Sequence, residues 1–360
     1  MKDASFSVRA PGRICLFGEH SDYLGLDVIA AAIDLSIEIQ CTPRTDNTVD
    51  IVYTDIHERD SFSLDSEIKY RNKRDYVRSS FNVMMRKGYI PTTGFDLEVS
   101  GNIPIAAGLS SSSALTVGSV MAISHMSEIR LSTEEIALTA YDAEVAEFGE
   151  SGGNMDHLAS AIGGVIHVKM DDNSVSRLPA RLDSIVIGDS GEKKKDTVGD
   201  LRYIRTTVEN EYELMSQKIE GFDRRTTPIS KVSELSKNQP TKERVMAEAT
   251  LRNRDLTASA LKLLQNEHPD AQQLGTMIRD HHEILRDAFD RSTPKIEQMM
   301  EAAYSAGAKG CKINGSGGGG TMMAYAVGKV DEVSSAIEEA GGVVYIVKVG
   351  DGTTLTILDE

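Results

Sequence analysis

Apolar positions alternate along residues 28–42, where Ile33, Leu35, Ile37 and Ile39 fall on one side of an extended chain, and this predicts a strand with one buried face. Residues 6–9, 49–53 and 95–99 predict further strands. Val77, Phe81, Val83, Met84 and Met85 fit a helix over 76–87 ended by Gly88. Helical patterns follow at 112–126 and 133–148, and glycines then break the chain before a new helix near Met155. Beyond about residue 178 the pattern changes. A strand at 184–188 precedes helices at 208–218, 242–264, 277–288 and 294–306. Strands at 310–313, 321–327, 343–349 and 353–358 and a helix at 330–340 close the chain. The change predicts two domains, 1–180 and 181–360.

A chain of 360 residues exceeds the usual size of a single core, so two packed domains with a cleft between them are expected. Its formal charge of −16 excludes a nucleic-acid footprint, because binding phosphate backbones requires a concentrated positive surface. The run Lys193, Lys194, Lys195 reads as a solvated loop, with steering of an anionic substrate as the alternative. Three cysteines, Cys15, Cys41 and Cys311, form no CxxC pair and fit a reducing compartment. No basic-then-apolar leader opens the sequence and no apolar window is long enough to span a bilayer, so the expectation is a cytoplasmic protein without a membrane segment.

Four segments carry chemistry. Residues 104–114, PIAAGLSSSSA, form a small-residue loop opening an apolar helix. Small side chains let backbone N–H groups approach phosphate oxygens, and a helix N-terminus favours negative charge; a flexible connector with good capping chemistry is the other reading. Residues 9–23, RAPGRICLFGEHSDY, pack cations, carboxylates, an imidazole and a phenol into what reads as a turn-rich segment, either gripping a polyol or serving as a surface loop of caps and ion pairs. Glu144 and Asp156 flank a glycine-rich turn, where one carboxylate could hold magnesium and the other accept a hydroxyl proton, although Asp156 also suits a helix N-cap. Residues 315–320, GSGGGG, mark a close approach of backbone to a ligand or the tip of a hairpin. His281 and His282 read as a surface pair, and His57, His125 and His268 receive the same reading.

Taken together and in this order, the segments resemble the GHMP kinases: GRxxLxGEHxDY, PxxxGLSSSSA, GxMD and GSGGGG. The resemblance implies an α+β fold of two domains, the first like ribosomal protein S5 domain 2 and the second ferredoxin-like, with ATP and acceptor meeting in the cleft. It implies Asp156 as catalytic base and Arg13 as the cation beside it. Gly108, Leu109, Ser110, Ser111, Ser112 and Ser113 would cradle the ATP phosphates, and Ser112 and Glu144 would hold Mg2+. Glu19, His20, Asp22 and Tyr23 would face the acceptor, joined by Tyr203 as a candidate sugar contact.

The segment from Gly18 to Tyr23 is most like galactokinases, although Cys15 stands where those usually carry asparagine and Leu24-Gly25-Leu26 replaces Asn-Gly-Gly. The expected activity is transfer of the ATP γ-phosphate to a sugar hydroxyl. Mevalonate or a phosphorylated mevalonate is the alternative acceptor, and a non-catalytic ATP and sugar sensor the alternative of another class. The expected partner is the small-molecule acceptor alone, bound by a monomer or homodimer.

Overall fold

The computed structural model describes residues 4–105, 107–194, 196–235 and 241–358. The first part of the chain runs β1 (Phe6–Phe17), β2 (Val28–Pro43), β3 (Thr48–Tyr53), β4 (Glu58–Ser63), α1 (Tyr76–Arg86), β5 (Phe95–Gly101), α2 (Ser111–Met126), α3 (Thr133–Tyr141), α4 (Met155–Ile162), β6 (Val165–Val168) and β7 (Val175–Leu178). The second runs β8 (Ile185–Asp189), α5 (Thr197–Ser216), α6 (Ile229–Leu235), α7 (Lys242–Leu264), α8 (Ala271–Asp287), α9 (Pro294–Ser305), β9 (Gly310–Ile313), β10 (Thr321–Tyr325), α10 (Val330–Glu339), β11 (Val343–Val347) and β12 (Thr354–Ile357).

Among the described residues the strands form two sheets. One has the order β12-β1-β2-β5-β3-β4, with β6 and β7 branching from β2; the other is antiparallel, β11-β8-β10-β9. The division expected at residue 180 falls between β7 and β8, but β12 returns to pair with β1, with Phe6 opposite Ile357. Residues 181–360 are therefore not one continuous unit, because the free edge of β1 is closed by the end of the chain.

Helices α1 to α4 cover one face of the first sheet through Phe81, Val117, Ile136 and Leu158. The opposite face of β1 and β2 offers Ile14, Leu16, Ile29 and Ile33 to Leu264 and Ile278 of α7 and α8 and to Ile187 and Met323 of the second sheet. Both faces of β1 are thus buried, which is why its twelve residues show no simple alternation and only its first four were legible as a strand. Pro11 and Gly12 do not end it. The register against β2 instead slips between Pro11 and Arg13, an irregularity that re-aims a side chain without ending the strand.

Helix α2 is buried around most of its circumference, and Gly118 brings it within contact of Ile39 and Ala10. The helix expected over 133–148 ends as α at Tyr141 and continues as a π-turn over Asp142–Ala146. His281 and His282 are not a surface pair. They lie on the buried face of α8, where His281 donates to Leu16 O at 3.2 Å and stacks on Phe17, and His282 meets Glu297 at 2.8 Å. The reading failed because paired histidines resemble polar helix surface until the partner strand is known. No helix among the described residues is long and apolar enough to cross a membrane.

Candidate active site

A cleft of about 960 Å³ opens between the two sheets' layers and draws its walls from all four motif segments. Its floor is the ion pair of Arg13 and Asp156. Arg13 Nε meets Asp156 Oδ1 at 2.6 Å and Nη2 meets Oδ2 at 2.7 Å, a two-pronged contact between the middle of β1 and the first turn of α4. Asp156 is not the N-cap; Asn154 occupies that position. Arg13 also donates from Nη1 to Gly108 O at 2.8 Å, and Ser110 Oγ donates to Asp156 Oδ2 at 2.7 Å. Burial alone would ease the proton off Arg13, but Asp156 and Glu19 more than offset it, and the guanidinium is held firmly charged.

Ser110 adopts a left-handed backbone, φ 59°, at the N-cap of α2, and its side chain makes no cap bond because it is committed to Asp156. The first-turn N–H groups of α2 therefore open on the cleft without a side-chain cap, which suits an anion. Ser111, Ser112 and Ser113 line the same wall. Leu109 contributes backbone only; its side chain is core and its carbonyl accepts from Arg13 N at 3.1 Å. Ala106 lies outside the described residues.

Glu144 sits in the π-turn and lines the cleft, its Oε2 2.7 Å from His157 Nε2. Among the described residues no group of three or more His, Cys, Asp or Glu side chains could enclose a metal. Ser112 and Glu144 fit a magnesium ion only of the kind that takes one or two protein oxygens and fills its shell with phosphate and water.

The acceptor-side residues divide. Asp22 lines the cleft with its carboxylate against Gly153, where a Cβ would fall 2.2 Å from Oδ2. Burial, with Asp156 adding negative charge, pushes Asp22 up to about 7. His20 is buried, bonded through Nδ1 to Tyr23 Oη at 2.7 Å and stacked on Phe289; burial drops it to about 4, so it is neutral at pH 7. Glu19 lines the cleft as expected of an acceptor-side residue, and its Oε2 accepts from Lys312 Nζ and Gly315 N, both at 3.0 Å. Tyr203 is half-exposed on α5 and does not line the cleft, so the sugar contact expected of it is not made there.

Residues 315–320 form the tip of the β9–β10 hairpin, and Gly315, Ser316 and Gly320 also line the cleft. The sequence reading missed Lys312, a buried cation inside an apolar strand, and Asn253, which donates to Glu19 O and Ser21 Oγ and fixes the 18–25 loop. A charged residue within a short apolar run was the only available signal. Of the run expected as a solvated loop or as steering for an anionic substrate, the exposed Lys193 and the half-buried Lys194 both line the cleft, and Lys195 lies outside the described residues. A second depression of about 740 Å³, over β3 to β5, is lined by charges paired with one another, such as Asp60 with Arg71 and Arg78, and by none of the motifs.

The cleft brings together an uncapped helix N-terminus, which suits an anion, and a buried Arg–Asp pair, groups that suit phosphoryl transfer to a small molecule. The family pattern described as GHMP kinases N terminal domain matches residues 75–164, GHMP kinases C terminal matches 259–343, and Galactokinase galactose-binding signature matches 1–43. A mevalonate kinase of Thermococcus onnurineus (strain NA1) is 32% identical over 351 residues, 95% of each chain. A galactokinase of Haemophilus influenzae (strain ATCC 51907 / DSM 11121 / KW20 / Rd) is 29% identical over 348 residues, 92% of this chain and 88% of that one. The galactose-complexed Lactococcus lactis galactokinase shares the fold with a TM-score of 0.87 at 21% identity, covering 97% of this chain and 95% of that one. The chain belongs to the GHMP kinases, and it is a kinase whose phosphoryl acceptor is an alcohol group on a small molecule.

Proposed function

We propose that this enzyme transfers the γ-phosphate of MgATP to a hydroxyl group of a sugar. The observation that carries the sugar reading is Asp22, a carboxylate held in the cleft against Gly153, inside the segment matched by the galactose-binding signature. A buried carboxylate can accept two hydroxyl protons and discriminates against an acceptor that lacks them.

In this reading the acceptor oxygen attacks the γ-phosphorus, a P–O bond forms as the bond to the β-phosphate oxygen breaks, ADP leaves and the hydroxyl proton passes to Asp156. Arg13 neutralises Asp156 and stands ready to share the charge on the transferring group. Ser112 and Glu144 would hold a magnesium ion, which would supply charge neutralisation when bound. Positioning and charge account for most of the rate in such transfers. Three free, buried cysteines accord with a cytoplasmic setting.

The test is ADP release with MgATP across galactose, N-acetylgalactosamine, glucose, arabinose, homoserine, mevalonate and phosphorylated mevalonates. Turnover with a sugar is expected. Turnover with mevalonate derivatives alone would replace the acceptor with that of the Thermococcus relative, the second reading.

Asp22→Asn supplies a sharper result. Acceptor KM is expected to rise about 10- to 100-fold, the worth of a charge-assisted hydrogen bond, with nucleotide KM unchanged. In the wild type, acceptor KM should improve as pH rises through about 7, and the Asn variant should lose that step. The folded state binds this proton more tightly than the unfolded chain, so stability falls as pH climbs from the ordinary carboxylate range toward 7. Asp22→Asn should therefore melt higher than wild type at pH 8, read by thermal unfolding.

A further inference from the structure

We infer that Lys194 is a catalytic residue that grips the γ-phosphoryl group, acting as a second cation opposite Arg13; the inference rests on the ATP-kinase reading above. The loop that carries it is stitched in place rather than solvated. Gly320 N donates to Glu192 O at 3.0 Å, Ser190 N and Oγ both donate to Gly320 O, and Thr321 N donates to Ala107 O at 3.1 Å, so the 107–109, 190–194 and 315–321 segments form one backbone-bonded rim.

The lysine stem threads between the two glycine-rich loops. A Cβ on Gly320 would fall 2.8 Å from Lys194 Cε, and a Cβ on Gly108 would fall 3.0 Å from Nζ. Glycine at both positions leaves the slot open for the stem. It ends at the mouth of α2, beside the carbonyl that Arg13 holds, and Nζ makes no hydrogen bond or ion pair with the described residues.

Its charge therefore has no direct partner, and two of the three carboxylates that face it are already paired. Glu19 is taken by Lys312, and Asp156 by Arg13. Arg13, Glu19, Asp156 and Asp189 are the charged groups that face Lys194, and burial is the main cause that lowers it to about 8. An ammonium half-buried between the backbone of Gly108 and that of Gly315, with no carboxylate bonded to it, is set for an anion that arrives with substrate. The loop at Gly108 and the first turn of α2 favour that anion being the terminal phosphate of the nucleotide over an acidic group on the acceptor. Lys194 would donate a hydrogen bond to a non-bridging oxygen and transfer no proton.

Binding of Mg–ADP and of Mg–AMP-PNP, measured by calorimetry without acceptor, separates the possibilities. Lys194→Met is expected to weaken AMP-PNP about 10-fold or more while leaving ADP unchanged, with kcat reduced; Lys194→Arg should restore much of the AMP-PNP affinity. The wild-type preference for AMP-PNP should shrink above about pH 8 and stay flat in the Arg variant. Unchanged AMP-PNP binding with a raised KM for acceptor would overturn the assignment in favour of an anionic acceptor and leave the kinase reading intact. Equal loss of ADP and AMP-PNP would reduce Lys194 to a structural prop. Failure of the wild type to bind either nucleotide would overturn the ATP-kinase reading along with it.

Discussion

Asp156→Asn is expected to lower kcat by about 10³-fold or more while the affinity for Mg–ADP stays within a few-fold of wild type. Both carboxylate oxygens of Asp156 are engaged, by Arg13 Nε and Nη2 and by Ser110 Oγ. The amide keeps the shape but turns one acceptor into a donor against the guanidinium, and it removes the charge that Arg13 neutralises. In a loose phosphoryl-transfer transition state the acceptor proton leaves late, so a carboxylate paired with a cation can still take it. Coupled ADP release gives kcat, and calorimetry gives nucleotide affinity. A fall of less than tenfold would remove Asp156 from the chemistry, and unchanged ligand binding in a wild type that never turns over would favour the sensor reading.

The second large effect concerns stability. Glu19 and Lys312 form a buried ion pair that joins the end of β1 to β9, with Lys312 Nζ also on Cys15 O at 2.8 Å and Glu19 also accepting from Gly315 N. Lys312→Met leaves a buried carboxylate without its cation, and Glu19→Gln leaves a buried ammonium without its anion. Either is expected to cost about 3–5 kcal/mol, read by denaturant unfolding, and the double variant should cost less than the sum of the two. Burial alone would raise Glu19, but Lys312 and Arg13 overcome it and hold the carboxyl down at about 2. Its stabilising contribution is therefore fully present above the ordinary glutamate range and disappears as pH falls toward 2, a fall that Glu19→Gln should not show. Equal stabilities for wild type and both single variants would show that the pair fixes nothing. A loss of stability confined to the acidic range would identify a protonation effect without an ionic lock.

What the sequence determined by itself is local. Strong periodicity placed α1, α7, α9 and β2 within a few residues of their ends, because local patterning and boundary signals, such as Gly88 after α1 and Pro294 at the start of α9, mark them, although the first six residues of β2 are buried on both faces rather than the one expected. The four motifs named the family by their order, since loops that bind phosphate need small residues whatever surrounds them.

Tertiary structure decided everything that depends on a distant partner. Burial of β1 on both faces erased its alternation, and a register slip carried the strand past Pro11 and Gly12 to deliver Arg13 to Asp156, 143 positions away. The return of β12 to β1 had no local signal, since a strand's pairing partner is set by which edge remains open. Two histidines that looked solvated became core, and Lys193 and Lys194, which looked solvated, line the cleft, because composition records what a side chain is and only packing records which way it faces. Glu19 marks the limit most clearly. Its motif places it in the cleft, and a cation almost three hundred residues later, which no local pattern announced, binds its Oε2, because a buried carboxylate needs a buried cation.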